Sequence, residues 1–112
     1  MNKDASTFFG IILNPGFEYK TLLMDELVIT RAIIDPAIEE INKTSRLYVK
    51  IDKKRIPICQ LFSGESSSCQ LNIAIQKGEE ISFDVVGDCP VHVSGYYAPM
   101  EYDAGRRFIT DT

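Results

Sequence analysis

Apolar and polar residues alternate most regularly between positions 79 and 99. This segment reads EEISFDVVGDCPVHVSGYYAP, with apolar residues at every second position on both sides of a Gly-Asp-Cys-Pro break. Alternation of period two bounded by glycine and proline is typical of antiparallel strands that bury one face. The segment therefore predicts a hairpin of two strands. One core face contains Phe83 and Val85, and the other contains Val91 and Val93.

Similar runs, separated by turn residues, predict strands along the rest of the chain. They lie at 7–13, 17–23, 27–34, 46–52, 55–62 and 68–75. The breaks between them are Asn-Pro-Gly at 14–16, Asp-Pro at 35–36, Lys53-Lys54 and the serine-rich segment 63–68. Residues 36–45 have helical spacing at Ile38 and Ile41, but their polar composition and short length favour a loop. About eight short strands predict an all-β sandwich or barrel.

Several of these strands are apolar on both faces, notably those at 8–13 and 56–62. A sandwich covers only one face of each sheet, so the second apolar face needs another cover. Scattered surface hydrophobes are the alternative explanation, because they are normal on soluble proteins. The pattern favours a closed assembly of identical copies, which would also protect the edge strands.

Composition fits one soluble globular domain. The 112 residues are 45% hydrophobic and 25% charged, and the net charge is −4. A mildly acidic chain argues against binding to naked nucleic acid and would suit a basic partner, although a solvated acidic surface is the common alternative. We find no membrane-length apolar run and no secretory signal, so we expect an intracellular protein that is not bound to a membrane.

The side chains that could carry chemistry are sparse. Cys59, Cys69 and Cys89 are odd in number and lack CxxC spacing, which predicts free thiols packed in the core in a reducing compartment. His92 is the single histidine, so a multi-histidine metal centre is excluded. His92 could pair with Ser94 or Cys89, but no orienting acid is evident, and a structural role is favoured. We expect no enzyme activity and no cofactor. Basic residues at 50–55 are interpreted as a solvated turn.

Four segments, in order, resemble the nucleoplasmin-like domain. They are FFGIILNPG at 8–16, VITRAIIDP at 28–36, the pair LYVKID and ICQLF at 47–52 and 58–62, and KGEEISFDVVGDCPVHVSGYYAP at 77–99. The similarity is greatest to the version that precedes the isomerase domain in nuclear FKBP-type peptidyl-prolyl isomerases. It extends to plant-type nucleolar histone deacetylase-like proteins.

The resemblance implies an eight-stranded antiparallel jelly-roll sandwich over residues 7–99, with a flexible N-terminus at 1–6 and a tail at 100–112. It also implies a homopentamer, or a decamer of two such rings, in the nucleus or the nucleolus. The implied role is a histone chaperone that binds histones or other basic nuclear proteins. The family's oligomer contacts map to Phe8, Phe9, Ile58, Leu61, Tyr96 and Tyr97. We assign basic-partner binding to Glu79, Glu80, Asp84 and Asp88.

One departure from the family supports an alternative function. Family chaperones bind histones largely through acidic tracts, whereas the loop at 63–68 contains only Glu65 and the segment 100–112 includes Arg106 and Arg107. The alternative is a purely structural oligomerisation domain of a longer nuclear protein, such as an FKBP-type isomerase, without histone binding of its own.

Overall fold

Eight β-strands confirm the predicted all-β fold. The structure is a computed structural model that describes residues 7–64 and 66–98. Each strand begins and ends within two residues of its predicted bounds. The strands are β1 (Thr7–Leu13), β2 (Glu18–Leu22), β3 (Glu26–Ile34), β4 (Thr44–Ile51), β5 (Lys54–Phe62), β6 (Ser68–Ile75), β7 (Glu80–Gly87) and β8 (Val91–Ala98). The segment 36–43, between β3 and β4, is a loop as predicted.

The strands form two antiparallel four-stranded sheets. The first sheet has the order β1-β8-β3-β6 and the second has the order β2-β7-β4-β5. This is the arrangement of a jelly-roll sandwich. β1 and β2 are edge strands joined by a short turn, while β5 and β6 are edge strands that contact each other across the sandwich. Within the described ranges, no helix has the length and apolarity needed to cross a membrane.

The predicted β7–β8 hairpin is wrong. β7 pairs with β2 and β4, whereas β8 pairs with β1 and β3 in the opposite sheet. Residues 88–90 carry the chain from one sheet to the other. The Ser45 hydroxyl fixes this crossing by donating to the Cys89 carbonyl (2.7 Å) and accepting from the Cys89 amide (2.9 Å). Alternation predicted which face each strand buries, but it contains no information about which strand lies beside it.

The core lies between the inner faces of the two sheets. Phe83, Leu27, Ile29 and Leu47 have no exposed surface, and the predicted core faces of β7 and β8 are buried as expected. Complete burial of such a side chain contributes about 1.5–3 kcal/mol. A slip of one residue would expose a whole set of them, so burial fixes the strand register.

The predicted central hairpin of β4 and β5 is confirmed. Its turn is at Asp52 and Lys53, one residue earlier than expected, with φ angles of 53° and 69°. Two successive positive φ angles define the turn type that matches the twist of a two-residue hairpin. Leu47 on β4 pairs with Cys59 on β5, and the next residue, Tyr48, pairs with Pro57. Ile58 therefore forms a bulge in β5.

Candidate interaction surfaces

An apolar surface lies on the outer side of β1 and β8. In this part of the first sheet, Phe8 lies opposite Tyr96, Gly10 opposite Ser94, and Ile12 opposite His92. We call these six residues the β1–β8 face. Phe8 is 76% exposed, Ile12 59% and Tyr96 40%. Large side chains that follow one another along a sheet in this way form a continuous apolar patch, which is typical of an interaction site.

Gly10 provides the space in which the Phe8 ring lies. A Cβ atom built on Gly10 would be 2.6 Å from Cε2 of Phe8. Beside the ring is an open hollow of about 450 Å³, lined partly by Ile12, His92 and Ser94. In the Phe-Phe-Gly sequence, the Phe8 ring therefore points outward and the Phe9 ring points inward. Gly10 has no side chain, which leaves room for the Phe8 ring.

Another glycine allows β8 to approach β3 closely. A Cβ on Gly95 would be 1.9 Å from the Val28 carbonyl oxygen and 3.0 Å from Cα of Ile29. The contact lies next to a bulge in β3, where the pairing shifts between Ile29 and Arg31. Only a residue without a side chain fits between the backbones there, which accounts for the glycine in the Val-Ser-Gly-Tyr-Tyr sequence.

His92 is one of the residues that line the hollow. Its Nε2 atom is buried, has no hydrogen-bond partner among the described residues, and is 3.6 Å from Oδ1 of Asp35. The same carboxylate oxygen accepts a hydrogen bond from the Ala37 amide. Residues 7–64 and 66–98 include no group of three or more histidine, cysteine or acidic side chains that could hold a metal. The arrangement resembles a structural contact between β8 and the loop after β3.

The structure separates the six predicted interface residues into three groups. Phe8 and Tyr96 are exposed, and Ile58 and Tyr97 are half-buried against the core. Phe9 and Leu61 are only 4% and 1% exposed, so they have almost no surface to offer a second chain. The Phe9 ring instead packs inside the sandwich, with ring centroids 5.6 Å from Tyr97 and 6.4 Å from Tyr19. Adjacent aromatic residues on a strand point to opposite faces, so both cannot be outside.

The four predicted acidic residues do not form one patch. Glu79 and Glu80 lie at the start of β7, whereas Asp88 follows its end, about 26 Å away at the rise of an extended strand. Asp88 Oδ2 accepts a hydrogen bond from the Thr44 amide (3.3 Å), and the Thr44 carbonyl accepts one from the Asp88 amide (2.7 Å). Asp88 therefore holds β4 beside the crossing between the sheets.

Asp84 is paired with a cation from the neighbouring hairpin. Arg55 donates to both carboxylate oxygens of Asp84, at 2.6 Å and 3.2 Å, while its guanidinium lies 3.7 Å from the centre of the Tyr48 ring. The hydrogen bond to Asp84 raises the pKa of Arg55. Sequence reasoning missed this pair because Arg55 seemed to belong to a solvated turn. The charge of Asp84 is already balanced within the chain.

Three lysines gather on the outer side of the second sheet. Lys20 and Lys50 flank Ser82 from the strands on either side, and Lys53 completes a hollow of about 240 Å³ with Glu80 at its rim. Within the described ranges none of the three lysines forms an ion pair. This side of the sandwich is therefore mixed in charge and offers a basic partner little net attraction.

Two of the three free thiols, Cys59 and Cys69, lie on the edge strands β5 and β6 at one edge of the sandwich. Burial, then the charge of the Cys69 thiol and a hydrogen bond with it, raise the pKa of Cys59 to about 12. Burial is also the main cause that raises the pKa of Cys89, which lies apart in the crossing between the sheets. Nothing in the spacing of the cysteines indicated that Cys59 and Cys69 would be neighbours.

Known proteins match the chain over most of its length. The 46 kDa FK506-binding nuclear protein of Spodoptera frugiperda is 28% identical over 92 residues, which are 82% of this chain and 22% of that protein. FK506-binding protein 4 of Rhizopus delemar is 30% identical over 90 residues, which are 80% of this chain and 23% of that protein. The chain thus spans less than a quarter of the length of these relatives.

Solved structures share the fold. The nucleoplasmin-like N-terminal domain of Drosophila FKBP39 superimposes with a TM-score of 0.75 at 19% identity, covering 88% of this chain and 95% of that one. The core of Drosophila NLP, a structure described as informative about pentamer formation and histone binding, gives 0.73 at 20% identity, covering 87% and 100%. The nucleoplasmin-like domain family matches residues 8–98. With its two four-stranded sheets and this match, the chain belongs to the nucleoplasmin-like domain family.

Proposed function

We propose that copies of this chain assemble into a ring, a homopentamer that can stack into a decamer, and that the ring binds histones or other basic nuclear proteins. The observation that carries the proposal is the β1–β8 face, where the apolar residues Phe8, Ile12 and Tyr96 are exposed in a single chain. The likeness to Drosophila NLP, described with pentamer formation and histone binding, supports it. The Spodoptera relative is named a nuclear protein, which supports a nuclear location.

A second apolar surface at the opposite edge supports a ring over a simple dimer. Near β5 and the loop that packs on its end, Ile41 is 67% exposed, Ile56 46% and Phe62 42%. A dimer with twofold symmetry can use one surface twice, whereas a ring needs two different surfaces in head-to-tail contact. The sheet orders put β1 at one edge of the sandwich and β5 at the other. In the proposed ring, the β1–β8 face contacts the β5 edge of the next copy.

A purely structural role is the second candidate, and the charge pairing observed on β7 favours it. Asp84 is held by Arg55 and Asp88 by Thr44, while three lysines lie beside Glu80. Of the four predicted acidic residues, Glu79 and Glu80 have no such side-chain partner among the described residues. Histone binding by the described domain would therefore depend on these two glutamates, repeated around the ring.

The proposed function includes no catalytic step and no cofactor. His92 has Asp35 as its nearest charged group, and Cys89 is buried in the crossing between the sheets. Turnover of an ester or peptide substrate that disappears in His92→Ala, with the assembly intact, would overturn this part of the proposal.

Titration with purified core histones distinguishes the two candidates. The proposal predicts that the assembled chain binds them, that binding weakens as salt increases, and that Glu79→Gln with Glu80→Gln weakens it further. Glu18→Gln is the control, because it removes an exposed acidic charge from β2. An assembled chain that binds no histone at low salt would contradict the chaperone role and leave the structural role.

A further inference from the structure

Cys59 and Cys69 lie on the edge strands β5 and β6, at the same edge of the sandwich. Cys59 lies on β5 opposite the fully buried Leu47, and Cys69 lies on β6 opposite the fully buried Ala32. Both side chains therefore point inward from different sheets, and both pack against the core. β5 and β6 are in contact although no backbone pairing joins them.

We propose that Cys59 and Cys69 form an intramolecular disulfide when the protein is exposed to a peroxide or a comparable two-electron oxidant. The bond would join the edge strand of one sheet to the edge strand of the other. Residues 60–68 connect the two cysteines, so the closed loop is short. The half-buried position of both thiols admits a small oxidant from solvent.

The chemistry balances with hydrogen peroxide as the oxidant. The Cys69 thiolate attacks one peroxide oxygen, the O–O bond breaks, and the departing hydroxide takes up the thiol proton to give water. The Cys59 sulfur then attacks the sulfur of the resulting sulfenic acid. The S–O bond breaks, and hydroxide leaves with the Cys59 proton as a second water. The two sulfurs lose two electrons in total, and the peroxide gains them.

The order of these steps follows from the environment of Cys59. Its raised pKa of about 12 leaves very little thiolate at neutral pH, which makes Cys69 the thiol that reacts first. For the same reason the second step is slow and accelerates with pH. The pair is therefore suited to a durable clamp formed during sustained oxidation, and not to rapid sensing.

The disulfide would join the two sheets at the β5–β6 edge of the sandwich. Edge strands expose unpaired backbone groups, and β5 and β6 are the edge strands that a disulfide would join. Closing a loop in the unfolded chain lowers its entropy, so the oxidised protein should unfold at a higher temperature. The expected increase in the unfolding midpoint is on the order of 10 °C.

The test is peroxide treatment of the native protein, alkylation of the remaining thiols, and peptide mapping. We expect a Cys59–Cys69 linkage with the loss of two hydrogen atoms, formed faster at pH 9 than at pH 7, with Cys89 still alkylated after unfolding. Cys89→Ser is the matched control and should form the same linkage. Cys59→Ser and Cys69→Ser should each abolish both the linkage and the increase in the midpoint.

Three results would overturn the proposal. One is the absence of the linkage while Cys69 is converted to sulfinic acid, since that oxidation product shows that Cys59 cannot reach it. The second is formation of the linkage only in urea, which would assign it to the unfolded chain. The third is a disulfide between two chains in place of the intramolecular bond. None of the three outcomes depends on histone binding.

Discussion

Replacing Gly95 by alanine tests the close approach of β8 to β3, on which the first sheet depends. The added Cβ would lie 1.9 Å from the Val28 carbonyl oxygen, 2.9 Å from its carbon and 3.0 Å from Cα of Ile29. All three atoms belong to the backbone, so no side-chain rotation can relieve the contact. The strands themselves must move apart.

The size of the effect follows from these distances. A carbon atom and a carbonyl oxygen come no closer than about 3.3 Å, so β8 must move by about 1.4 Å relative to Val28. Backbone hydrogen bonds near 2.9 Å would stretch past their useful range of about 3.2 Å. Overpacking typically costs about 1–3 kcal/mol, and the lost pairing adds to it. We expect Gly95→Ala to lower stability by about 3 kcal/mol and Tm by roughly 12–24 °C.

Gly10→Ala is the matched control. Its Cβ would also clash, at 2.6 Å, but with the end of the exposed Phe8 ring, which can rotate into solvent. We expect a change in stability below about 1 kcal/mol. The assay is thermal and urea unfolding of both variants, followed by circular dichroism at equal protein concentration. If Gly95→Ala unfolds within a few degrees of Gly10→Ala, the reasoning about backbone approach is refuted.

Three further tests address the core, the crossing between the sheets and the half-buried thiol of Cys59. Phe9→Ala should lower the free energy of unfolding in urea by about 3–5 kcal/mol, whereas Phe17→Ala, at an exposed position outside the proposed interface, should leave it nearly unchanged. Equal losses would contradict the assignment of Phe9 to the core. Ser45→Ala should cost about 1–3 kcal/mol, because it leaves the Cys89 amide and carbonyl without their partner; a neutral result would show that water replaces it. The free energy of unfolding should fall as pH rises from 9.0 towards about 12, because the Cys59 thiol ionises at a lower pH in the unfolded chain than in the folded one. Cys59→Ala should reduce this pH dependence in urea titrations, and an unchanged pH dependence would refute the prediction.

Strand positions were predictable because short-range patterns determine them. Alternating residues between turns such as Asn-Pro-Gly predicted the first and last residues of β1 and β6 correctly. In β7 and β8, the side chains predicted to face the core are buried. The relation between strands was not predictable in this way. The turn at 87–90 suited a hairpin, yet the chain crosses to the other sheet there. Alternation indicates a face, whereas pairing depends on contacts between distant segments.

The candidate surfaces were predictable only in part, for a similar reason. Adjacent Phe8 and Phe9 suggested an apolar surface, but only the strand phase shows that the first is outside and the second inside. The acidic assignment failed to anticipate that Arg55, remote in sequence, would pair with Asp84. The Cys59–Cys69 contact likewise arises from the packing of two sheets. Contacts of this kind leave no local signal in the sequence.

The mass of the assembled protein tests the central claim most directly. Light scattering coupled to gel filtration, at low and high salt, should give five or ten times the chain mass of 12.6 kDa, because apolar contacts resist salt. Phe8→Ser together with Tyr96→Ser should reduce the mass, while Phe17→Ser should not, because Phe17 is similarly exposed but lines a hollow beside Glu18 and Val86 on the second sheet. A folded protein that elutes with the mass of one chain at every salt concentration would contradict the account.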